Sequence, residues 1–194
     1  MNSKQHVLVV MGHPDRESYC QAICDTYVGA LNSDRVEVET LDLGRLEFDP
    51  VLRYGYHQRM APDPVIAKSQ ELVKWCDHIV FIFPCWWEAM PSLLKGWIER
   101  VFTPGFAYEH GKIGLAGLLT GKTASVIVTY DGPPRWFWLR GTAPSRHLKM
   151  TVLAGSGIRV TRIMELGGMR DTTAKGTVRR QRFLTKVAAV ATVN

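Results

Sequence analysis

Residues 6–18 read HVLVVMGHPDRES. Within the first seven residues, Val7 to Met11 form a continuous apolar run with three valines, which is typical of a strand that is buried on both faces. The next five residues are polar and predict a turn. Ser18 then stands where a serine commonly caps the first turn of a helix. A buried strand, a tight turn and a helix together form the repeating unit of a parallel α/β sheet.

The same alternation of strands and helices continues to the end of the chain. We predict strands at residues 6–12, 36–43, 78–83, 123–129 and 159–166, and helices at residues 18–31, 65–75, 91–102, 143–153 and 173–193. The stretches between them, at residues 44–64, 103–121 and 130–141, are expected to be loops. This pattern predicts a flavodoxin-like, doubly wound sheet of five parallel strands in the order 2-1-3-4-5, with helices on both faces.

Length and composition are those of one ordinary globular domain spanning residues 1–194. Hydrophobic residues make up 46% and charged residues 22% of the chain, which is usual for such proteins. The longest apolar stretch, residues 79–87, is interrupted by Pro84 and is far shorter than the roughly 20 residues of a membrane span. We find no signal-peptide pattern at the N-terminus. The sequence therefore predicts a cytoplasmic protein that is not embedded in a membrane.

The cysteines and the charge give weaker indications. Cys20, Cys24, Cys76 and Cys85 lack the CxxC pairs of zinc sites, so we expect structural thiols and no metal. The net charge of +6 and the pI near 9.3 raise the possibility of nucleic-acid binding. The basic residues are dispersed, however, apart from the run Arg179-Arg180-Gln181-Arg182. A dispersed excess suits an anionic small ligand at least as well, and we expect no nucleic-acid partner.

Three loops follow the carboxyl ends of predicted strands, where ligands bind in doubly wound sheets. They read GHPDRES (12–18), PCWWEAMP (84–91) and TYDGPPRWFW (129–138). The first could hold a phosphate at a helix N-terminus, or could simply be a capped helix beside a surface histidine. The second offers an apolar plane, although one of its two tryptophans could belong to the core. With Gly132 allowing close backbone approach in the third, the loops predict a mononucleotide or flavin site. GxGxxG and Walker-type motifs are absent from the first loop.

The stretch PCWWEAMPSLLKGWIERVFTPGFAY, residues 84–108, resembles the signature of the flavin-dependent NAD(P)H:quinone oxidoreductases. VMGHPDRESY, residues 10–19, is similar to the same family's Gly-His loop with its downstream serine and aromatic residue. In outline the resemblance covers the whole chain, and it is loose after Asp131.

The resemblance implies a set of flavin contacts. They are, by position, His13, Ser18, Tyr19 and Cys20 around the phosphate and ribityl chain, Pro84, Cys85, Trp86 and Trp87 along the isoalloxazine ring, and Thr129, Tyr130, Asp131 and Gly132 on its other side. The Trp87 ring is expected to border the flavin, and the Trp86 side chain to pack elsewhere. Tyr108 matches an aromatic residue that overhangs the substrate site, commonly from the second subunit of a homodimer.

The sequence departs from the family pattern at two places. The family's Thr-Gly-Gly after the fourth strand is replaced here by Thr-Tyr-Asp-Gly, so we assign no proton-relay or other catalytic residue, and His147 is only a candidate for the substrate pocket. Glu88 stands where an aromatic residue is common, which could alter the acceptor pocket.

The activity implied by the resemblance is a two-electron transfer. Hydride passes from NAD(P)H to the flavin and on to a quinone-type acceptor that enters the same slot, which implies ping-pong kinetics. FMN is favoured over FAD because we find no second nucleotide motif, and NADH and NADPH remain open as donors. The alternative is a regulatory or ancillary flavoprotein subunit of a membrane transport system such as potassium efflux, with the basic final helix as its docking surface.

Overall fold

The computed structural model describes residues 4–111, 114–132 and 144–192. Its central sheet holds five parallel strands in the order β2-β1-β3-β6-β7. These strands are β1 (Gln5–Met11), β2 (Val36–Asp42), β3 (His78–Pro84), β6 (Thr123–Thr129) and β7 (Arg159–Leu166). In chain order the five strands are arranged 2-1-3-4-5, so the predicted fold and strand order are confirmed.

Helices cover both faces of the sheet. They are α1 (Tyr19–Ala30), α2 (Pro64–Trp75), α3 (Ser92–Val101), α4 (Pro144–His147), which continues as a π-helix (Leu148–Leu153), and α5 (Ala174–Ala191). One core lies between the sheet and the side that carries α2 and α3, and a second core lies beneath α1 and α5. Because β3 packs against both cores, all seven of its residues are buried.

One local prediction was wrong, and one helix was predicted in the right place but differs in type. The stretch 103–121, expected to be a loop, contains an antiparallel hairpin formed by β4 (Tyr108–His110) and β5 (Leu115–Gly117). Each strand has only three residues, too few for an alternating pattern to be recognised, and the surrounding glycines masked the signal. The predicted helix 143–153 is largely a π-helix, a variant that periodicity does not distinguish from an α-helix.

Helix α3 fixes the long loop that precedes α2. A side chain at Gly96 would come within 2.4 Å of the Pro50 carbonyl oxygen, so the loop can approach only because this position is glycine. The buried Arg100 guanidinium donates to the Asp49 carbonyl oxygen and lies 3.8 Å from the Asp63 carboxylate. The loop is thereby held against α3 at Asp49 and at Asp63.

In the described part of the chain, no helix combines the length and the apolar character that crossing a membrane requires.

Candidate functional site

The loops that follow β1, β3 and β6 meet at a cavity of about 170 Å³. Parallel strands end at the same edge of the sheet, which brings these loops together. The cavity is lined by His13, Ser18, Tyr19, Cys20, Pro84, Cys85, Trp86, Thr129, Tyr130, Asp131 and Met169. The first ten were all predicted from the sequence to lie at one site. Trp87 and Gly132 were predicted as well and do not line the cavity.

The N-terminus of α1 presents unpaired hydrogen-bond donors at the cavity. Ser18 caps the helix through its Oγ, which accepts the N–H of Gln21 at 3.3 Å. Within the described ranges, the backbone N–H groups of Tyr19 and Cys20 have no acceptor. Both residues line the cavity, and the positive end of the helix dipole adds to their attraction for negative charge. This arrangement fits a phosphate group.

His13 is held in one orientation beside this helix end. Its Nδ1 accepts the backbone N–H of Asp15 at 2.9 Å, so the neutral ring carries its proton on Nε2. Burial lowers the pKa of His13, although Asp15 acts in the opposite direction. At neutral pH the ring is therefore an uncharged donor, and its edge contacts the Trp86 ring with centroids 5.3 Å apart.

The two adjacent tryptophans point in different directions. The peptide groups of Trp86 and Ala89 exchange hydrogen bonds of 2.9 and 3.0 Å, and the two residues between them have positive φ angles, 52° at Trp87 and 59° at Glu88. This tight turn sends the Trp87 side chain outward, where it is 98% exposed, while Trp86 lines the cavity. Within one chain, the cavity is therefore lined by Trp86 and not by Trp87. The expectation that the Trp87 ring borders the flavin stays a prediction.

The thiols and phenols of the cavity are uncharged near neutral pH. Burial raises the pKa of Cys20 and Cys85 to about 11, and the pKa of Tyr19 and Tyr130 to about 12. A thiol must ionise to act as a nucleophile, so neither cysteine is activated for covalent catalysis. The walls are suited instead to enclosing a flat, largely apolar group.

The loop after β6 is joined to the loop after β7. The Asp131 carboxylate pairs with Arg170, and Met169 adds its side chain to the cavity wall. Sequence reasoning missed Met169, although it follows the carboxyl end of the fifth strand and the glycine pair Gly167-Gly168. The same rule that selected the other three loops would have selected this one.

Three predicted features lie apart from the cavity. Tyr108 is half-buried in β4, and His147 is exposed at the end of α4, and neither residue lines the cavity. In the basic run near the C-terminus, Arg179 donates to the Gly168 carbonyl oxygen and Arg180 to that of Asp171. These two arginines therefore hold the β7–α5 loop.

The residues present fit a flavin in character. The lining combines the N–H donors of Tyr19 and Cys20, which suit a phosphate, with the neutral side chains of Cys85, Trp86 and Tyr130, which are aromatic or apolar.

Comparison with known proteins supports this interpretation. The sequence profile of the family described as having a flavodoxin-like fold matches residues 5–189. NAD(P)H dehydrogenase [quinone] 1 of Cavia porcellus is 29% identical over 163 residues, covering 73% of this chain and 58% of that protein. The chain thus spans about three fifths of the length of this curated relative.

Solved structures agree on the fold. Smu.1420 from Streptococcus mutans UA159 has 34% identity and a TM-score of 0.83, with 96% of this chain and 98% of that chain covered. An FMN-dependent NADH-azoreductase from Bacillus anthracis str. Ames Ancestor, solved in complex with FMN, has 18% identity and a TM-score of 0.73, with 96% and 97% covered. A protein named NAD(P)H dehydrogenase [quinone] 1 is thus among the relatives of this chain. The sheet order, the cavity at the strand ends and the profile match together show that the chain belongs to the family described as having a flavodoxin-like fold.

Proposed function

We propose that this protein is a flavin-dependent oxidoreductase that takes a hydride from NAD(P)H and reduces a quinone-type acceptor. The observation that carries the proposal is the cavity itself. It joins the N–H groups of Tyr19 and Cys20, which have no acceptor among the residues that the structure describes, to a wall of uncharged side chains at the carboxyl ends of β1, β3 and β6. The relative named NAD(P)H dehydrogenase [quinone] 1 supports the choice of donor and acceptor.

The residues divide into two groups by what they would bind. The N–H groups of Tyr19 and Cys20, with Nε2–H of His13, would hold the phosphate. Cys85, Trp86 and Tyr130 would border the ring system and shield it from water. A bound flavin would supply the group that accepts the hydride and passes two electrons on. Donor and acceptor would occupy the same place beside the flavin in turn, which predicts ping-pong kinetics.

The cofactor we propose is FMN, with FAD as the alternative. The volume of about 170 Å³ is below the roughly 300–1,000 Å³ of typical ligand sites, and among the described residues one helix N-terminus, that of α1, contributes to its lining. The small volume also supports a homodimer in which the second subunit completes the site. Tyr108 would then act from the partner, in line with its position away from the cavity of its own chain.

The test is to purify the protein, record its absorbance spectrum and identify any released cofactor by mass. We expect the two visible absorbance bands of an oxidised flavin. After the protein is denatured and removed, the supernatant should contain FMN. The protein should also oxidise NADH or NADPH in a reaction that depends on a quinone such as menadione. Parallel lines in double-reciprocal plots would support the ping-pong order. A protein that binds neither FMN nor FAD after reconstitution would contradict the proposal. Tight flavin binding with negligible turnover would favour the regulatory alternative instead.

A further inference from the structure

The loop that follows β7 is fastened to the loop that follows β6 by backbone contacts. Tyr130 donates its N–H to the Leu166 carbonyl oxygen at 2.9 Å, and Met169 donates its N–H to the Tyr130 carbonyl oxygen at 3.3 Å. A Cβ at Gly167 would lie 2.7 Å from both the Gly132 carbonyl oxygen and the Tyr130 ring. The two loops are therefore in direct backbone contact, which a larger residue at position 167 would prevent.

The Asp131 side chain adds a second link between the two loops, through two contacts with Arg170 that we call the Asp131–Arg170 clasp. Its Oδ1 accepts the backbone N–H of Arg170 at 3.1 Å, and its Oδ2 lies 2.9 Å from Nε of the same residue. Both oxygens of the carboxylate are thus engaged, and its charge is balanced by the guanidinium. Asp131 lines the cavity, but in this arrangement it is occupied by Arg170 rather than directed at a ligand.

Met169 is restrained on both sides. Before it, the Gly168 carbonyl oxygen accepts a hydrogen bond from Arg179 of α5 at 2.7 Å. After it, Arg170 is clasped by Asp131. With its two neighbours fixed to different elements, the Met169 side chain is held against the cavity, where it also packs on the core beneath α1 and α5.

We propose that Asp131 is a positioning residue: it holds the β7–α5 loop closed through Arg170, so that Met169 forms a fourth wall of the flavin cavity. Asp131 would then affect flavin affinity through Met169 and not as a flavin ligand. The inference rests on the proposed function, because its consequence is measured as flavin binding. It assigns a role to the β7–α5 loop, which is not one of the three loops predicted from the sequence to form the site.

The test is a double-mutant cycle on flavin affinity, measured by titrating apoprotein with FMN and following flavin fluorescence. We expect Met169→Ala and Asp131→Ala each to raise Kd by about tenfold, the equivalent of about 1.4 kcal/mol. If Asp131 acts through Met169, adding Asp131→Ala to Met169→Ala changes Kd by less than about twofold. Effects that multiply to about a hundredfold would mean that Asp131 contacts the flavin independently, and would overturn the inference. So would an unchanged Kd in Asp131→Ala.

Asp49 provides a matched control, because it also accepts a nearby backbone N–H, from Val51, and pairs with a nearby arginine, Arg53. Asp49 does not line the flavin cavity, so Asp49→Ala should leave the Kd for FMN unchanged. A second measurement needs no flavin: in Asp131→Ala, hydrogen exchange of the Arg170 amide should accelerate by at least about tenfold. An unchanged exchange rate of the Arg170 amide would contradict the contact between Asp131 and Arg170. Wild-type protein that binds no flavin would contradict the proposed function, whereas exchange would still report on the clasp.

Discussion

Trp86 and Trp87 are chemically identical neighbours with opposite surroundings. Trp86 is 44% exposed and contacts His13, while Trp87 is 98% exposed. The turn that separates them places Trp87 and Glu88 in the left-handed region, which costs a residue other than glycine roughly 1–2 kcal/mol. Such strain persists where the surrounding structure enforces it, and it is common beside binding sites. At this site the turn decides which ring reaches the cavity.

The two rings should therefore differ in their effect on flavin binding. We expect Trp86→Ala to raise the Kd for FMN by about tenfold, because it removes an aromatic wall of the cavity. Trp87→Ala should change it by less than about threefold in the monomeric unit, because the ring has almost no contact within its own chain. Fluorescence titration of the two apoproteins measures both values. A larger effect at Trp87 would mean that the turn rearranges, or that a second subunit covers this ring.

The sequence was informative about which residues meet but not about how each side chain is directed. Ten of the predicted residues line the cavity because strand ends can be located from apolar runs, and parallel strands end together. The choice between Trp86 and Trp87 could not be made in this way, because it depends on the φ angles of a turn that no glycine or asparagine announces. Met169 was within reach of the same reasoning and was missed.

At the scale of elements, β3 and β6 are joined by an uncommon internal contact. His78 is 2% exposed, and its ring nitrogens lie 2.7 Å from Thr123 Oγ1 and 3.0 Å from Ser125 Oγ. Both hydroxyls belong to β6, so the imidazole bridges the two strands in the centre of the sheet. Burial lowers the pKa of His78 from 6.5 to about 4.

This shift predicts a loss of stability on acidification. The unfolded chain binds a proton at His78 below pH 6.5, while the folded chain resists protonation until about pH 4. The free energy of unfolding should therefore fall as the pH decreases from 6.5 to 4, by at most about 3 kcal/mol from this group. Urea unfolding of wild type and His78→Gln across this range measures the effect. Glutamine retains hydrogen-bonding groups but does not titrate, so its curve should be flatter, and parallel curves would contradict the assignment.

The elements themselves were largely predictable, for reasons that also explain the exceptions. The five sheet strands are uninterrupted apolar or alternating runs, and Ser18 caps α1 as its residue type suggests. The β4–β5 hairpin was missed because its strands derive their stability from neighbours that are distant in the chain. The Leu119 N–H donates to the Ser156 carbonyl oxygen, and Gly117 packs against Gly157. Contacts between distant segments leave no local pattern in a sequence.

At the scale of the whole molecule, a single chain exposes apolar side chains on the loop that precedes α2. Val51, Tyr54 and Tyr56 of this loop are 54%, 43% and 57% exposed. Beside them a cavity of about 720 Å³ lies between the loop and the segment that leads to β4, with Tyr56 and Phe106 in its walls. Exposed aromatic surface next to an open cavity is typical of a subunit interface. These features support the homodimer, which stays a prediction.

Mixing two defective variants tests whether Tyr108 acts from the partner subunit. The first is Tyr108→Ala, and the second combines several substitutions of cavity residues so that it no longer binds flavin. If Tyr108 reaches across the interface, a mixed dimer has one complete site, formed by the cavity of the first chain and the Tyr108 of the second. Each variant alone should be impaired, and after subunit exchange the mixture should recover roughly a quarter of the wild-type sites, because half of the dimers are mixed.

Quinone-dependent NAD(P)H oxidation, with light scattering to establish the dimer, measures this recovery. Activity no higher than the average of the two separate variants would place Tyr108 in the site of its own chain or outside the site altogether.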